Sequence, residues 1–533
     1  MNNRQTAQVA KPKNGGSMTV ATVLVMIGLL FSKCSGFMRD IFVGIKFSDP
    51  VFRDSFTLAF TIPDLVYNLL IGGSIQSAIT PSLSSAISRG EEKRGFRAVN
   101  IFISVFAVLM LIVCILGSVF SRQIYSLYNA FSGDANNRTV ELASEASKLL
   151  FPQIFFMMLA ALCIGILNAY KRFASTAFGP SIYNIFVLAA IIIFAGNSQR
   201  ELVYTTAGIM GAAIIYFLFQ YMVGFDKMKA YRFIWKPRDP DFIALVKRAL
   251  PILISASIVQ INMVILNYFA GSFDDDGHIY ALRNASTVWQ LPYGIFAVAI
   301  GNVMLPSLAA LYSSGKHKDA SMLLSSRLRN ALFLTVPSAV FMIILNTDVI
   351  KAVFQWSSEY TDDDAARAGT FLVGYSIAII THTVVFIMNQ AFYAIGRTKI
   401  PLIAGCIGLL SNPLFCVVFI KAGMGPLSLT IAYSITSVFQ LLTLYIVYSK
   451  QKEIAPRGML KFAVKSSICA GIMALVLIVC DRTVPATGGK MVQLAILGTK
   501  LFVSAGVYFI FAAVLKQREA TYWIQRFRSK LHI

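Results

Sequence analysis

Apolar residues along this chain come in long runs, neither alternating as in a half-buried strand nor recurring as the narrow stripe of a surface helix. Runs of membrane-spanning length cover residues 19–46, 55–85, 98–120, 149–170, 177–196, 202–224, 245–271, 279–311, 330–347, 366–393, 399–420, 425–449, 459–480 and 491–515. Crossing a hydrocarbon core takes about 20 helical residues, and backbone groups in lipid must be satisfied within the segment. The pattern predicts an all-α polytopic membrane protein of about fourteen transmembrane helices. The first, second and eighth runs are longer than a simple span and contain Gly36, Pro63, Gly72, Gly73 and Pro292, where bends are expected.

The runs also repeat. Thr80-Pro81-Ser82-Leu83 closes the second and Leu305-Pro306-Ser307-Leu308 closes the eighth, and each leads into a basic loop. Tyr170-Lys171-Arg172 follows the fourth and Gly396-Arg397-Thr398-Lys399 follows the tenth. Both pairs share an offset of 225 residues, with the same number of spans between them. A duplication explains this. It gives an N-terminal tail (1–18), an N-lobe of six helices (19–224), a linker (225–244), a C-lobe of six helices (245–449), two additional helices (459–515) and a basic tail (516–533). Six is even, so the lobes run in the same direction, and parallel repeats of this kind place a substrate site between them.

Composition agrees. Of 533 residues 56% are hydrophobic and 14% charged, with mean hydropathy +0.68. The charge deficit excludes a cytosolic enzyme, a disordered scaffold and a secreted disulfide framework. The seven cysteines lie mostly inside apolar runs and form no CxxC pair, so they read as small apolar side chains. The run after Met18 has no small-residue cleavage site and reads as a first span.

The net charge of +22 would suggest nucleic acid in a soluble protein. Here its distribution gives a different answer. With the N-terminus inside, 32 of the 47 Lys and Arg fall on cytoplasmic segments and 11 on the opposite ones. This bias places both termini in the cytoplasm and leaves no need for a nucleic-acid partner. Lys33, Arg39, Arg283 and Lys500 remain at membrane depth.

Ionisable groups at that depth are costly and usually functional. Lys33, Arg39, Asp40 and Lys46 sit on the first span, Arg53 and Asp54 at the start of the second, Asp64 within it, and Arg283 near the start of the eighth. The other spans of the two lobes carry almost no charge. Cationic side chains therefore gather on the opening helices of the lobes and favour a substrate bearing phosphate or carboxylate. Arg39 could instead pair locally with Asp40 or Asp54 or snorkel to a headgroup, and Lys46 and Arg53 read as such surface pairs. Asp64 either neutralises a lobe arginine or carries protons. Asp274-Asp275-Asp276 and Asp362-Asp363-Asp364 read as solvated turns; His278 and His382 have no metal-ligand spacing. No metal site, Walker A sequence or catalytic constellation is present, so a transporter driven by an ion gradient or the membrane potential, with no cofactor, is expected.

Ser32-Lys33-Cys34-Ser35-Gly36-Phe37-Met38-Arg39-Asp40, followed by Asp54-Ser55-Phe56-Thr57-Leu58-Ala59-Phe60-Thr61-Ile62-Pro63-Asp64-Leu65, resembles the N-terminal pattern of the MurJ/MviN family of lipid II flippases, in the multidrug/oligosaccharidyl-lipid/polysaccharide exporter superfamily. Leu291-Pro292-Tyr293-Gly294, Leu167-Asn168-Ala169-Tyr170-Lys171-Arg172-Phe173 and Ala391-Phe392-Tyr393-Ala394 extend the similarity. The resemblance implies fourteen helices, two lobes, a cationic cavity, and alternating-access flipping of an undecaprenyl-pyrophosphate-linked peptidoglycan precursor. It further implies a place in the bacterial cytoplasmic membrane, cell-wall synthases as candidate partners, and a groove for the lipid tail beside helices 459–480 and 491–515. Arg39, Asp40 and Asp54 fall on family positions, and Lys33 replaces an arginine. Tyr67 and Thr287 stand where arginines are common, with Arg283 one turn before the latter. Cys416 replaces the acid that, four residues after an Asn such as Asn412, completes a sodium site in some members. The alternatives are a flippase for another polyprenyl-linked polysaccharide intermediate and a cation-coupled multidrug exporter of the same superfamily.

Overall fold

The computed structural model describes residues 15–70, 74–130, 137–170, 172–229, 231–273, 275–449, 458–485 and 488–530. The N-terminal half contains α1 (Gly15–Lys46), α2 (Pro50–Ala59), α3 (Thr61–Leu70), α4 (Ser74–Ser88), α5 (Glu92–Val119), α6 (Ser121–Ala130), α7 (Asn137–Ala169), α8 (Phe173–Phe194) and α9 (Gln199–Val223). A short α10 (Phe225–Met228) lies in the linker. The second half contains α11 (Pro240–Ala270), α12 (His278–Pro292), a π-helical segment (Tyr293–Val298), α13 (Ala299–Ser313), α14 (His317–Ile344), α15 (Asn346–Phe354), α16 (Asp362–Ala394), α17 (Lys399–Lys421) and α18 (Leu427–Ser449). Then follow α19 (Met459–Thr483), α20 (Lys490–Val514) and α21 (Arg518–Lys530).

The duplication is visible in these boundaries. Helices α4 and α13 have 15 residues each and begin at 74 and 299. Helices α5 and α14 have 28 each and begin at 92 and 317. Helices α7 and α16 have 33 each and begin at 137 and 362. All three pairs keep the 225-residue offset, and α4 and α13 carry Pro81 and Pro306 at matched places. Within each lobe the 33-residue member is central: α7 packs on α2, α4, α5 and α9, and α16 on α12, α13, α14 and α18.

Among the described residues eleven helices are long and apolar enough to cross a membrane, and they coincide with eleven of the expected spans. The other three differ in instructive ways. The first is one unbroken helix, α1, with no break at Gly36. The second is three helices, α2 to α4. The seventh lies within α11, of which Ser257–Ala270 is counted as a shorter apolar helix.

The break between α2 and α3 falls at Phe60, so Pro63 sits in the first turn of α3, where its missing N–H costs no helical bond. The Tyr125 hydroxyl donates to the carbonyls of Leu58 (3.1 Å) and Ala59 (2.9 Å) and satisfies groups freed there. Pro292 ends α12, and the chain widens into the π-helical turn immediately after it. Gly72 and Gly73 lie outside the described residues.

Helix α11 joins the halves, packing against α3, α4 and α5 on one side and α17 on the other. Helices α19 and α20 pair, with α19 on α14 and α20 on α15. Lys500 of α20 is 4% exposed and bridges Asp481 (2.6 Å) and Asp348 (3.8 Å). It is therefore a buried cation with two acids between the appended helices and the C-lobe.

Candidate functional site between the lobes

Asp40, on α1, is 7% exposed, and its Oδ1 accepts from Arg39 Nε (2.9 Å) and Nη2 (2.8 Å). Arg283 Nη2, on α12 of the other lobe, lies 3.8 Å from the same oxygen. Arg39 also reaches the Asn184 side-chain carbonyl (3.5 Å), and Asn184 in turn donates to Ser32 O (3.2 Å). One acid thus sits between two arginines from the two repeats, leaving the cluster net positive. Both arginines remain partly exposed, so their remaining donors are open to an anionic partner.

Beside this cluster lies an interlobe cavity of about 640 Å³. Asp64 and Arg283 line it, with Thr287, Gln290 and Asn389 among its polar walls. Asp64 lies within the field of both Arg283 and Arg39 but forms no ion pair with either. Thr287, at one of the family's arginine positions, bonds only to the Arg283 carbonyl one turn back (3.0 Å). Lys33 is exposed on α1 and pairs with no acid among the described residues.

Asp54 is placed elsewhere. It is 1% exposed, and its carboxylate accepts from the backbone N–H of Gly277 (2.9 Å), Tyr280 (2.8 Å) and Ile279 (3.4 Å). An N-lobe acid therefore caps the N-terminus of a C-lobe helix, where the helix dipole favours negative charge. Gly277 holds φ +94°, which a side chain rarely adopts, and a Cβ there would come 3.0 Å from the Arg367 guanidinium.

Arg53 and Asp364 correct the sequence expectation. Arg53 is 2% exposed and is not a surface group; it bonds Asp364 Oδ2 at 2.8 Å and Ser48 O at 3.1 Å, with its guanidinium 5.9 Å from the ring centres of both Tyr280 and Tyr360. Asp362–Asp364 is the first turn of α16: Asp362 and Asp363 are exposed as expected, but Asp364 is buried and forms a reciprocal capping box with Thr361. The T-x-x-D spacing signalled that helix start; nothing local signalled the partner 311 residues away. Asp274 lies outside the described residues, and no group of three metal-binding side chains occurs among the described ones.

At the position of the family's sodium site, Asn412 donates to Asn262 Oδ1 (2.7 Å) and Cys416 Sγ lies 3.9 Å from Asn412 Oδ1. The network is neutral.

The family model described as lipid II flippase MurJ matches residues 46–498. The chain belongs to the MurJ family. A lipid II flippase MurJ of Thermosipho africanus is 28% identical over 459 residues, covering 86% of this chain and 91% of that protein. Among solved structures, a lipid II flippase MurJ in an inward closed conformation superposes with a TM-score of 0.76 at 24% identity, covering 92% and 98% of the two chains. An inward-facing multidrug-resistance MATE transporter of the MOP superfamily gives 0.66 at 15% identity, over 82% and 99%. The fold is that of this transporter superfamily, as the resemblance implied. MurJ proteins are transporters and not enzymes, and they act on a lipid-linked substrate in a membrane.

Proposed function

We propose that this MurJ-family chain flips lipid II, a polyprenyl-pyrophosphate-linked glycan precursor, from the inner to the outer leaflet of the bacterial cytoplasmic membrane by alternating access of its two lobes. The observation that carries the reading is the Arg39–Asp40–Arg283 cluster, which joins the two repeats by a shared acid and brings two guanidiniums beside the interlobe cavity that Arg283 lines. A pyrophosphate would replace or supplement Asp40 as the partner of both guanidiniums, and rocking of the lobes would change how many of them it meets. Lys33 supplies a further cation on the same helix, Asp64 balances the arginines, and Asp54 acts on the closure of the lobes rather than on the headgroup. Both termini lie in the cytoplasm, which the Lys/Arg excess supports. The cycle draws on an ion gradient or the membrane potential, and cell-wall synthases are candidate partners.

The test is charge reversal. In a MurJ-depleted strain, R39E and R283E should each abolish complementation and leave lipid II inaccessible from outside while the protein still reaches the membrane. Full complementation by both would overturn the site, and unchanged outward lipid II in cells depleted of this chain would overturn the function.

A further inference from the structure

The C-lobe wall of the cavity is built from aromatic rings that the charge argument does not use. Tyr293, His382 and Tyr433 line the cavity and are half-buried. His382 stacks on Tyr433 with centroids 4.8 Å apart and planes at 23°. Behind them Trp289, 3% exposed, stacks on Tyr375 at 5.7 Å and 20° and lies 5.2 Å from Tyr293. The rings come from α12, the π-helical segment, α16 and α18, so the platform is braced from several sides and partly presented to the cavity. Tyr293 begins the π-helical turn, a distortion that frequently marks functional sites.

The same wall holds unmet hydrogen-bonding capacity. Among the described residues Trp289 Nε1 is a donor without an acceptor, Asn389 Oδ1, Thr436 Oγ1 and His382 Nε2 likewise have no partner, and all four residues line the cavity. Buried polar atoms left this way cost about 1–3 kcal/mol each, a cost recovered when a small rotation of these side chains brings them to a hydrogen-bonding occupant of the cavity. A lipid tail offers no hydrogen bonds. An organic cation calls for acids, whereas the cavity has one acidic side chain among the described residues, Asp64, and Arg283 beside it on the lining offsets its charge. A sugar ring fits both features: its C–H face is apolar, and its rim alternates hydroxyl donors and acceptors.

Spacing completes the argument. Trp289 and Tyr293 follow Arg283 by six and ten residues, about 9 and 15 Å along the chain's helical rise. The first sugar on a pyrophosphate held at Arg283 reaches the nearer of these distances, and a second sugar linked to it extends toward the farther one. We propose that the Trp289–Tyr293–His382–Tyr433 wall is a saccharide subsite, which stacks the pyrophosphate-proximal sugars of the lipid-linked substrate and distinguishes glycosylated from bare carrier lipid. The proposal rests on the transport reading above and deepens it.

The test uses the purified full-length protein and two ligands, lipid II and undecaprenyl pyrophosphate, with equilibrium binding measured for each. The wild-type chain should bind lipid II more tightly. H382A/Y433A should weaken lipid II binding about tenfold, the sum expected for two aromatic contacts, while binding of undecaprenyl pyrophosphate stays the same and reports an intact fold. Y433F, which keeps the ring, should retain lipid II binding within about threefold. Equal loss of both ligands in H382A/Y433A, or no loss of either, would overturn the subsite. So would loss of binding to a tetraphenylphosphonium probe with lipid II binding intact, which would mark a cation cage. A wild-type chain that binds both lipids equally would overturn the subsite and leave the transport reading standing; one that binds neither would overturn both.

Discussion

The two ends of the molecule handle charge in opposite ways. At the end that the Lys/Arg bias makes the outer one, the lobes are joined by buried groups: Arg53 with Asp364, at 2% and 8% side-chain exposure, and Asp54 on the N-terminus of α12. At the inner end the ion pairs that the linker and the start of α11 make with the N-lobe are more solvated. Arg94 pairs with Asp241 at 3.0 Å with side chains 67% and 41% exposed, and Arg172 pairs with Asp226 at 2.7 Å with 41% and 48%. Exposed pairs exchange their partners for water at little cost, whereas buried ones do not. The outer contacts therefore act as a latch between the lobes, and the inner Arg94–Asp241 pair adds little to the packing that holds α11 against the N-lobe. For an alternating-access carrier, most of the energetic cost of exchanging one closed end for the other lies at the outer one.

The largest effect should come from breaking the buried pair on one side only. D364A leaves the Arg53 guanidinium in a dry interface with no acid, held by the Ser48 carbonyl and the Tyr280 and Tyr360 rings. Removing one partner of a buried pair costs about 3–5 kcal/mol, so thermal unfolding of the purified protein should move down by several degrees. R53M/D364N, which removes both charges and keeps the shape and a cap acceptor at position 364, should recover most of the loss. A single variant no less stable than the double would show that the pair is not buried in the membrane-embedded protein and would erase the contrast between the ends.

D54N is the intermediate case. It keeps the shape and a carbonyl acceptor but removes the charge from the α12 N-terminus, for a loss of about 1–2 kcal/mol. Its signature separates it from D364A: because the cap spans the lobes, the loss should appear as easier outward opening, read as labelling of a cysteine introduced at Thr57 on the cavity wall by an impermeant thiol reagent in whole cells. Unchanged labelling with lowered stability would make Asp54 a local fold determinant and not part of the latch.

These contacts also show what a sequence yields and what it withholds. The repeat was legible because it is a one-dimensional property: the 225-residue offset seen in the P-S-L and Arg motifs returns in the lengths and starts of α4, α5 and α7 and of their partners. Arg39, Asp40 and Arg283 were legible because charge at membrane depth is rare enough to stand out. Asp54 stood out for the same reason, but its role did not. Its partners are backbone N–H groups more than 220 residues away, and backbone donors carry no residue-type signal. Asp364 was misread because a run of three acids at a loop looks solvated until the tertiary fold brings Arg53 against it. The second span was seen to be long and bent, but its division into three helices depends on Tyr125, from α6, satisfying the freed carbonyls.

The smallest effect should lie at the inner end, and its dependence on conditions matters more than its size. Arg172 donates to both oxygens of Asp226, at 2.8 and 2.7 Å, and these bonds hold that carboxyl below its ordinary range. A lowered folded-state pKa contributes stability that is present above the usual carboxylate value of about 3.9 and lost as pH falls through the folded value. D226N should therefore differ only slightly from the wild-type chain at pH 7, and the two unfolding temperatures should converge once the pH falls well below about 3.9. Raising the salt to about 1 M, where the screening length is near 3 Å, should erase the same small difference at pH 7. It should leave the D364A deficit in place, because ions do not enter a dry interface. Equal salt sensitivity at Asp226 and Asp364 would mean that water reaches both ends alike, and the outer contacts would then be no more a latch than the inner ones.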